Sequence, residues 1–412
     1  MANVKLSSRI GFDQFWGDIG TDRDITFDRK GFVIKTLNDP HGLGDVVVRT
    51  KSRRGVETIT KVVIEDESGT GIVTIKKPEI SAAYFLNVLA NWPELAIRSL
   101  LNGDDRVTGG NQTESLESGA GDDVVSGGGG DDFVVAWSGN NDYDGGDGTF
   151  DFLTWRNASR QPDFVTNPVF IDVALGTATN PFGGTDTFRN FEGYELSTLD
   201  DVAFGSVGND VFRPFLGDDT IDGREGFDTI DFRRDERLGG TGGVEVDLGA
   251  GFAIDPFGTR DTLIGIERAF GTARDDVLVG DRGGNGLLGE AGDDLLEGGL
   301  GADTISPGEG ADTIVYRTPD EGADIIFGFS VQDDTIAIDT DGFSGLRAGR
   351  LRGSQFVDDA NPVGSGRLAQ FLYDTDDGTL AFDPDGGGNR DAIVLAVLDG
   401  APSLAAADFD LF

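Results

Sequence analysis

The chain has 412 residues and a formal net charge of −41, from 33 Lys and Arg against 74 Asp and Glu. Glycine fills 64 positions, Cys is absent, and there is one His and one Met. These counts exclude Cys–His and multi-His zinc sites and Ser–His–Asp hydrolysis with a second His, and the acidity argues against nucleic-acid binding. The apolar share of 38% is sufficient for a core.

The charge changes abruptly near residue 99. Residues 1–99 carry seven Lys and seven Arg against eight Asp and five Glu, a net of +1, so residues 100–412 carry −42. All seven lysines lie at or before Lys77. We therefore predict a domain boundary at this point. The chain shows no transmembrane stretch and no apolar h-region of an N-terminal signal peptide.

Residues 1–99 are predicted to form a small β-rich cap that ends in helix. Ser81 is a helix N-cap candidate, and Asn91 followed by Glu94 predicts a second helix start that runs to about Leu101. His41 lies between a proline and a glycine and is interpreted as a turn residue. Alternating apolar runs predict strands at 24–28, 46–49, 58–64 and 71–75.

From residue 100 the chain has a nine-residue period. Thirteen units fall in three blocks, 100–135, 196–231 and 271–315. Position eight is apolar in all thirteen units, position six is acidic in twelve, with Asn285 the exception, and position four is Gly in ten. The alternative of an acidic, Gly-rich disordered tail would not keep an apolar residue at one position thirteen times.

The period has a simple physical interpretation. Three residues around position eight form one short strand with an inward side chain, and glycines allow the sharp turn before it. Carboxylates at one place in each turn, stacked coil over coil, repel one another unless a cation lies between them. Carboxylate and carbonyl oxygens favour calcium over softer metals.

The pattern G-G-x-G-x-D-x-U-x resembles the repeats-in-toxin (RTX) family of haemolysin-type calcium-binding proteins. The resemblance implies an all-β fold: a parallel β-roll, or β-solenoid, in which turns on one side sandwich calcium ions. It implies position-six ligands, namely Asp105, Asp123, Asp132, Asp201, Asp210, Asp219, Asp228, Asp276, Asp294, Asp303 and Asp312. It also implies carbonyl ligands at Gly103, Gly121, Gly130, Gly208, Gly217, Gly226, Gly283, Gly292, Gly301 and Gly310.

Some units depart from the pattern and are doubtful sites. Gln112 and Glu114 replace Gly and Asp in one turn, and Leu199 and Arg274 replace position-four Gly in two others. Asn285 offers an uncharged amide oxygen, which predicts a weaker site.

The segments between the blocks are duplicated. Residues 186–205 align with 261–280 at a constant offset of 75, which predicts one continuous solenoid of residues 100–323 whose coils are widened by extra strands. Glu192 and Glu267 occupy equivalent places in the two copies. They are either further ligands or exposed turn carboxylates, and the second alternative is favoured.

Residues 324–412 are predicted to close the roll with β-strands at 324–338 and 371–398. Asp374, Asp376, Asp383 and Asp385 either hold another calcium or lie in solvated hairpin turns. The resemblance implies that the extreme C-terminus is an uncleaved type I secretion signal. It therefore implies an extracellular or cell-surface location without an N-terminal signal peptide.

The sequence leaves two classes of function open. No His-Glu-x-x-His or Gly-x-Ser-x-Gly motif is present, and 99 residues are too few for a polysaccharide epimerase or lyase domain. We therefore expect no catalytic residues and predict a surface-layer, filament or adhesive protein. It would bind another copy of itself or a surface glycan through Lys51, Arg53 and Arg54. Alternatively, these three residues form only a solvated turn. The alternative is a secreted enzyme or toxin that uses the repeats for export and folding.

Overall fold

A computed structural model describes residues 103–155, 167–388 and 390–412, together with the backbone of six strands between residues 3 and 76. Within these residues the fold is all-β, and its helices are short 3-10 turns at Asp235–Leu238, Gly353–Gln355 and Ala406–Asp408. The two helices predicted to start at Ser81 and at Asn91 lie outside the described residues. The chain divides into two compact units, 1–202 and 203–412.

The first unit begins with an antiparallel meander in which each strand pairs with the next. All four predicted cap strands are present, and β1 and β3 are additional. The strands are β1 (Asn3–Leu6), β2 (Asp22–Asp28), β3 (Gly31–Leu37), β4 (Leu43–Arg53), β5 (Val56–Asp66) and β6 (Gly71–Lys76).

The remainder of the first unit consists of short strands separated by tight turns. They are β7 (Arg106–Thr108), β8 (Ser115–Glu117), β9 (Val124–Ser126), β10 (Phe133–Val135), β11 (Asp142–Asp144), β12 (Phe152–Thr154), β13 (Phe170–Asp172), β14 (Thr177–Thr179), β15 (Thr185–Arg189) and β16 (Gly193–Glu195), before β17 (Val202–Phe204) at the boundary. β6 pairs antiparallel with β7, so the meander and the first coil share a sheet. The predicted domain boundary near residue 99 stays a prediction.

Successive nonapeptide strands alternate between two parallel sheets. β7, β9, β11 and β15 pair in one sheet, and β8, β10, β12 and β16 pair in the other. Two nonapeptides therefore make one coil, and equivalent residues of neighbouring coils lie 18 apart, as in the pair Val134↔Leu116. This is the predicted parallel β-roll.

The second unit repeats this arrangement and closes it. Its strands are β18 (Val211–Arg213), β19 (Thr220–Asp222), β20 (Thr229–Asp231), β21 (Glu245–Asp247), β22 (Phe252–Ile254), β23 (Arg260–Ile264), β24 (Arg268–Phe270), β25 (Val277–Val279), β26 (Gly286–Leu288), β27 (Leu295–Glu297), β28 (Thr304–Ser306), β29 (Thr313–Tyr316), β30 (Asp324–Ile326), β31 (Thr335–Ile338), β32 (Gly349–Arg350), β33 (Phe356–Asp359), β34 (Gln370–Asp374), β35 (Thr379–Asp383), β36 (Ile393–Leu398) and β37 (Phe409–Leu411).

The widened coils carry the duplication that the offset of 75 predicted. β13–β14–β15 and β21–β22–β23 are matching three-stranded antiparallel insertions, each followed by a strand that returns to the roll. At the end of the second unit, β34, β35 and β36 form an antiparallel meander that joins the roll through β30. The strands predicted within 324–338 and 371–398 are therefore confirmed.

The core of each unit is the column of position-eight side chains. All thirteen are at most 1% exposed, from Val107 to Ile314. In β27, Leu296 lies between Leu278 of β25 and Ile314 of β29. The apolar column stacks because the parallel register places position eight over position eight, and this register brings the turn carboxylates over one another as well.

Candidate metal centres

Every predicted position-six aspartate is buried, with at most 4% of its surface exposed. These carboxylates form ladders from coil to coil. The backbone N–H of Asp276 donates to Asp294 Oδ1 at 2.8 Å, that of Asp294 donates to Asp312 Oδ1 at 2.9 Å, and that of Asp312 donates to Asp334 Oδ1 at 3.1 Å. One carboxylate oxygen is therefore used to join neighbouring coils.

The second oxygen distinguishes two kinds of turn. In the turns that we call open, the residues at positions two and four both have positive φ, as at Gly299 (85°) and Gly301 (135°). This conformation is adopted in the seven units that start at 118, 127, 214, 223, 289, 298 and 307. In six of them the second oxygen is buried without a hydrogen-bond partner among the described residues, at Asp123, Asp132, Asp228, Asp294, Asp303 and Asp312.

In the turns that we call capped, the carboxylate binds the backbone of its own turn. The N–H of Thr272 donates to Asp276 Oδ2 at 2.6 Å. The N–H of Arg274 donates in turn to Thr272 Oγ1 at 3.1 Å. Equivalent position-two N–H bonds reach position six at Glu114, Asp201, Asp210 and Asn285.

The capped turns explain the departures from the repeat. Because a position-two side chain accepts the position-four N–H, position four needs no left-handed backbone, so Leu199 and Arg274 replace glycine there. Gly208 and Gly283 lie in capped turns and have no positive φ, whereas the other eight predicted glycine ligands do. The amide oxygen of Asn285, expected to be a weaker ligand, accepts the N–H of Asp281 at 2.7 Å.

The open turns fit a hard divalent cation. A buried carboxylate oxygen without a donor is costly unless a cation or proton compensates it. Position-four carbonyls stack in the same turns, since a Cβ on Gly121 would overlap the carbonyl of Gly103 and one on Gly310 that of Gly292. No three acidic side chains of the described residues gather around one point, so carbonyl oxygens must complete any site.

The sequence profile of the RTX calcium-binding nonapeptide repeat matches four segments of the chain, 101–125, 117–149, 197–230 and 283–314. The chain carries RTX repeats. These repeats bind calcium ions in multiple copies. The open turns contain buried, unpartnered carboxylate oxygens, which are the kind of ligand that calcium prefers.

Two solved structures are similar to parts of this chain. One is described as the solution structure of the AlgE6R3 subunit from the Azotobacter vinelandii mannuronan C5-epimerase, with 17% identity over 51% of this chain and 77% of that one, and a TM-score of 0.20. Another is the extracellular lipase LipA from Serratia marcescens, with 15% identity over 75% of this chain and a TM-score of 0.16. This chain spans 38% of the length of that lipase.

The RTX ladders extend beyond the residues that the repeat predicted. Glu192 and Glu267 are not exposed turn carboxylates: both are half-buried, and each accepts the N–H of a ladder aspartate, Asp151 or Asp228, at 2.8 Å. Each of the other additional members is an acidic or amide residue two positions before a buried strand residue, which is the spacing of positions six and eight. They are Asn141, Asp151, Asp186, Asp261, Asp324 and Asp334.

The four acidic residues of the closing region are divided between two places. Asp374 Oδ1 accepts the N–H of Asp376 at 2.9 Å in the β34–β35 turn, whereas Asp383 ends β35 and accepts the N–H of Asp385 at 3.1 Å. The first pair therefore lies in the hairpin turn that was the alternative to a calcium site. No helix in the described part of the chain has the length and apolar character needed to cross a membrane.

Burial shifts the protonation of the open turns. Desolvation raises the pKa of Asp123, Asp132, Asp228 and Asp294 to about 7, from an ordinary value of 3.8. These values include the effect of neighbouring carboxylates, such as Asp276 and Asp312 around Asp294. Without calcium, the folded state therefore holds protons that the unfolded chain releases.

We expect calcium-free chain to gain β-structure as the pH falls from about 7 towards 4. A raised pKa in the folded state means that folding takes up protons, so stability rises as pH falls through the folded pKa and levels off below the unfolded value. Circular dichroism in calcium-depleted buffer between pH 4 and 8 measures this. Structure that increased with pH over this range would contradict the assignment.

Proposed function

We propose that this chain is an extracellular structural or adhesive protein of the cell surface or matrix that folds when it binds calcium, and that it is not an enzyme. The observation that carries the proposal is the use of the acidic side chains. The buried position-six carboxylates bind backbone N–H groups of neighbouring coils, so they build the roll, and those of the open turns keep one oxygen for calcium. Such fixed carboxylates are not available as general acids or bases.

One groove in the first unit supports the same proposal. It has a volume of about 500 Å³ and is lined by Gly130, Asp131, Gly146, Asp147, Gly148 and Thr149. Asp131 Oδ1 accepts the N–H and Oγ–H of Thr149 and the N–H of Phe150, and these bonds lower the pKa of Asp131. A carboxylate held in this way stays ionised and serves the turn structure.

Export before folding follows from the same calcium dependence. RTX repeats are typical of proteins that leave the cell by type I secretion. Residues 100–412 carry a net charge of −42, which opposes compaction where calcium is scarce. Outside the cell, calcium is abundant and binding to the folded state stabilises it.

The end of the second unit is poorly suited to pairing with another copy. Its outermost strands are β32, which has two residues, and β33, which carries exposed Asp358 and Asp359. Short and charged edge strands discourage strand addition. We therefore propose that self-association or binding of a surface glycan uses the cap, where Lys51 and Arg53 lie two residues apart on β4; Arg54 lies outside the described residues.

A charge-reversal variant of the whole chain tests this role. In millimolar calcium, we expect the purified chain to form sheets or filaments on electron microscopy grids or to adsorb to anionic glycan. Assembly and adsorption should be abolished in a variant that combines Lys51→Glu, Arg53→Glu and Arg54→Glu. They should persist in a control variant that combines Lys35→Glu, Lys61→Glu and Lys76→Glu, which changes the cap charge by the same amount.

The competing hypothesis is a secreted enzyme or toxin that uses the RTX roll for export and folding. Turnover of a polysaccharide, ester or peptide by the purified chain would favour it and would overturn the structural role. Equal loss of attachment in both charge-reversal variants would show that overall charge, and not the β4 residues, controls attachment.

A further inference from the structure

The two duplicated insertions differ in the chemistry of one buried position. In the first unit, the Asp186 carboxylate is 0% exposed and is surrounded by N–H donors. Asn141 Nδ2 donates to it at 2.9 Å, Asn180 Nδ2 at 3.1 Å and Trp155 Nε1 at 3.2 Å. Its charge is therefore satisfied by neutral donors of the protein.

The backbone around the second copy is the same. Asp219 N donates to Asp261 Oδ1 at 3.0 Å, as Asn141 N donates to Asp186 Oδ1 at 3.0 Å. Asp255 Oδ1 accepts the N–H groups of the turn that follows it, as Asn180 Oδ1 does in the first copy. The two sites are thus structural equivalents.

The donors of the first copy are missing from the second. Asp219 replaces Asn141, Asp255 replaces Asn180, and Phe232 follows β20 where Trp155 follows β12. Each replacement removes an N–H group that could reach the central carboxylate, and two of them add a negative charge. Asp261 Oδ2 is accordingly buried and has no hydrogen-bond partner among the described residues.

A further buried carboxylate lies on the 3-10 turn Asp235–Leu238, and the charges that act on it include those of Asp255 and Asp261. Asp235 is 0% exposed, and neither of its carboxylate oxygens has a partner in the described part of the chain. The segment after it lies against the turn of Asp255, since Thr241 N donates to the Pro256 carbonyl at 3.2 Å and Gly240 N donates to the Asp235 carbonyl at 3.1 Å.

Other charged groups around Asp235 do not neutralise it. Desolvation, together with the negative charges of Asp255, Asp261 and Asp231, raises the pKa of Asp235 to about 9. Arg213 acts in the opposite direction, but it forms an ion pair with Asp231 at 2.8 Å.

We propose that Asp235 and Asp261 hold a hard divalent cation. In a medium that contains enough calcium to occupy the repeats, this cation is calcium. The site lies outside the nonapeptide turns and belongs to the second copy of the insertion, not to the first. Three buried carboxylate oxygens lack a hydrogen-bond partner among the described residues: both of Asp235 and Oδ2 of Asp261. Asp255 keeps both oxygens bonded to its own turn and adds negative charge, so backbone carbonyls or water complete the coordination. The ion takes the place of the N–H donors of the first copy.

The test is the number of calcium ions bound per full-length chain, measured by elemental analysis after gel filtration. Asp235→Asn keeps the shape, removes the charge and supplies an amide donor to Asp261, as Asn180 does to Asp186. We expect it to bind one ion fewer than the wild type. Asp320→Asn removes an exposed charge and should bind the wild-type number. An unchanged ion count in Asp235→Asn would overturn the proposal and assign a proton to this site.

A second measurement covers the case in which Asp235→Asn does not fold. Crystals of the wild-type chain grown in calcium should show an anomalous peak within coordination distance of the carboxylates of both Asp235 and Asp261. Absence of that peak in crystals whose open turns contain calcium would overturn the proposal independently of any variant.

Discussion

Chelation of calcium at neutral pH should unfold the RTX roll. Six open turns each bury a carboxylate oxygen that accepts no hydrogen bond from the described residues. Residues 100–412, to which these turns belong, carry a net charge of −42. Seven calcium ions, one for each open turn, would offset a third of that charge. Each ion that binds only the folded state also stabilises it, by about 4 kcal/mol when the free concentration is a thousand times its dissociation constant.

Circular dichroism and near-ultraviolet spectra in chelator, followed by titration to millimolar calcium, measure this effect. We expect β-structure to appear cooperatively with calcium, because each ladder hydrogen bond joins two coils. Magnesium at the same ionic strength is the control, since it adapts poorly to irregular oxygen sites. A chain fully β-structured in excess chelator at pH 7 would contradict the prediction.

The second large effect is a difference between two neighbouring aspartates of one ladder. Asp276 and Asp294 lie one coil apart, and each accepts a backbone N–H through Oδ1. They differ at Oδ2, which is capped by Thr272 in Asp276 and has no partner among the described residues in Asp294. We expect Asp294→Asn to bind at least one calcium fewer and to need more calcium for folding.

Asp276→Asn should keep the wild-type number of ions. The Asn side chain has one acceptor oxygen where the carboxylate has two, so one buried N–H group loses its partner. This loss lowers the free energy of unfolding by about 1–3 kcal/mol, with or without calcium. Calcium counting and thermal melts therefore separate the two variants. Equal loss of calcium in both would show that the conformation at position two does not select the binding turns.

Much of the roll could be predicted from the sequence because its repeat is local. Positions six and eight are two residues apart, so one strand fixes both the buried apolar residue and the buried carboxylate of each unit. The same spacing at Asp151 and Leu153, or at Asp334 and Ile336, would have found the additional ladder members. These pairs lie outside the nonapeptide blocks, so the thirteen-unit register does not include them.

The residue at position two also indicates locally whether a turn is open or capped. Ser197, Ser206, Thr272 and Asp281 at position two are residues whose side chains accept a nearby backbone N–H and so favour capped turns. Phe215, Arg224 and Glu290 give no such signal, since non-glycine residues rarely adopt positive φ. Their left-handed conformation is known only from the folded structure.

By itself, the sequence determined the thirteen-unit register and the duplicated insertions, because both depend on spacing along the chain. The parallel β-roll and calcium followed from the resemblance of that register to RTX repeats and from its oxygen ligands. The tertiary structure alone decided which oxygens lack donors and which distant residues meet. Asp235 and Asp261 are 26 positions apart and belong to no repeat, and Asp186 and Asp261 align as identical residues. Their opposite surroundings, three N–H donors in one copy and further carboxylates in the other, arise from folding contacts that no local pattern encodes.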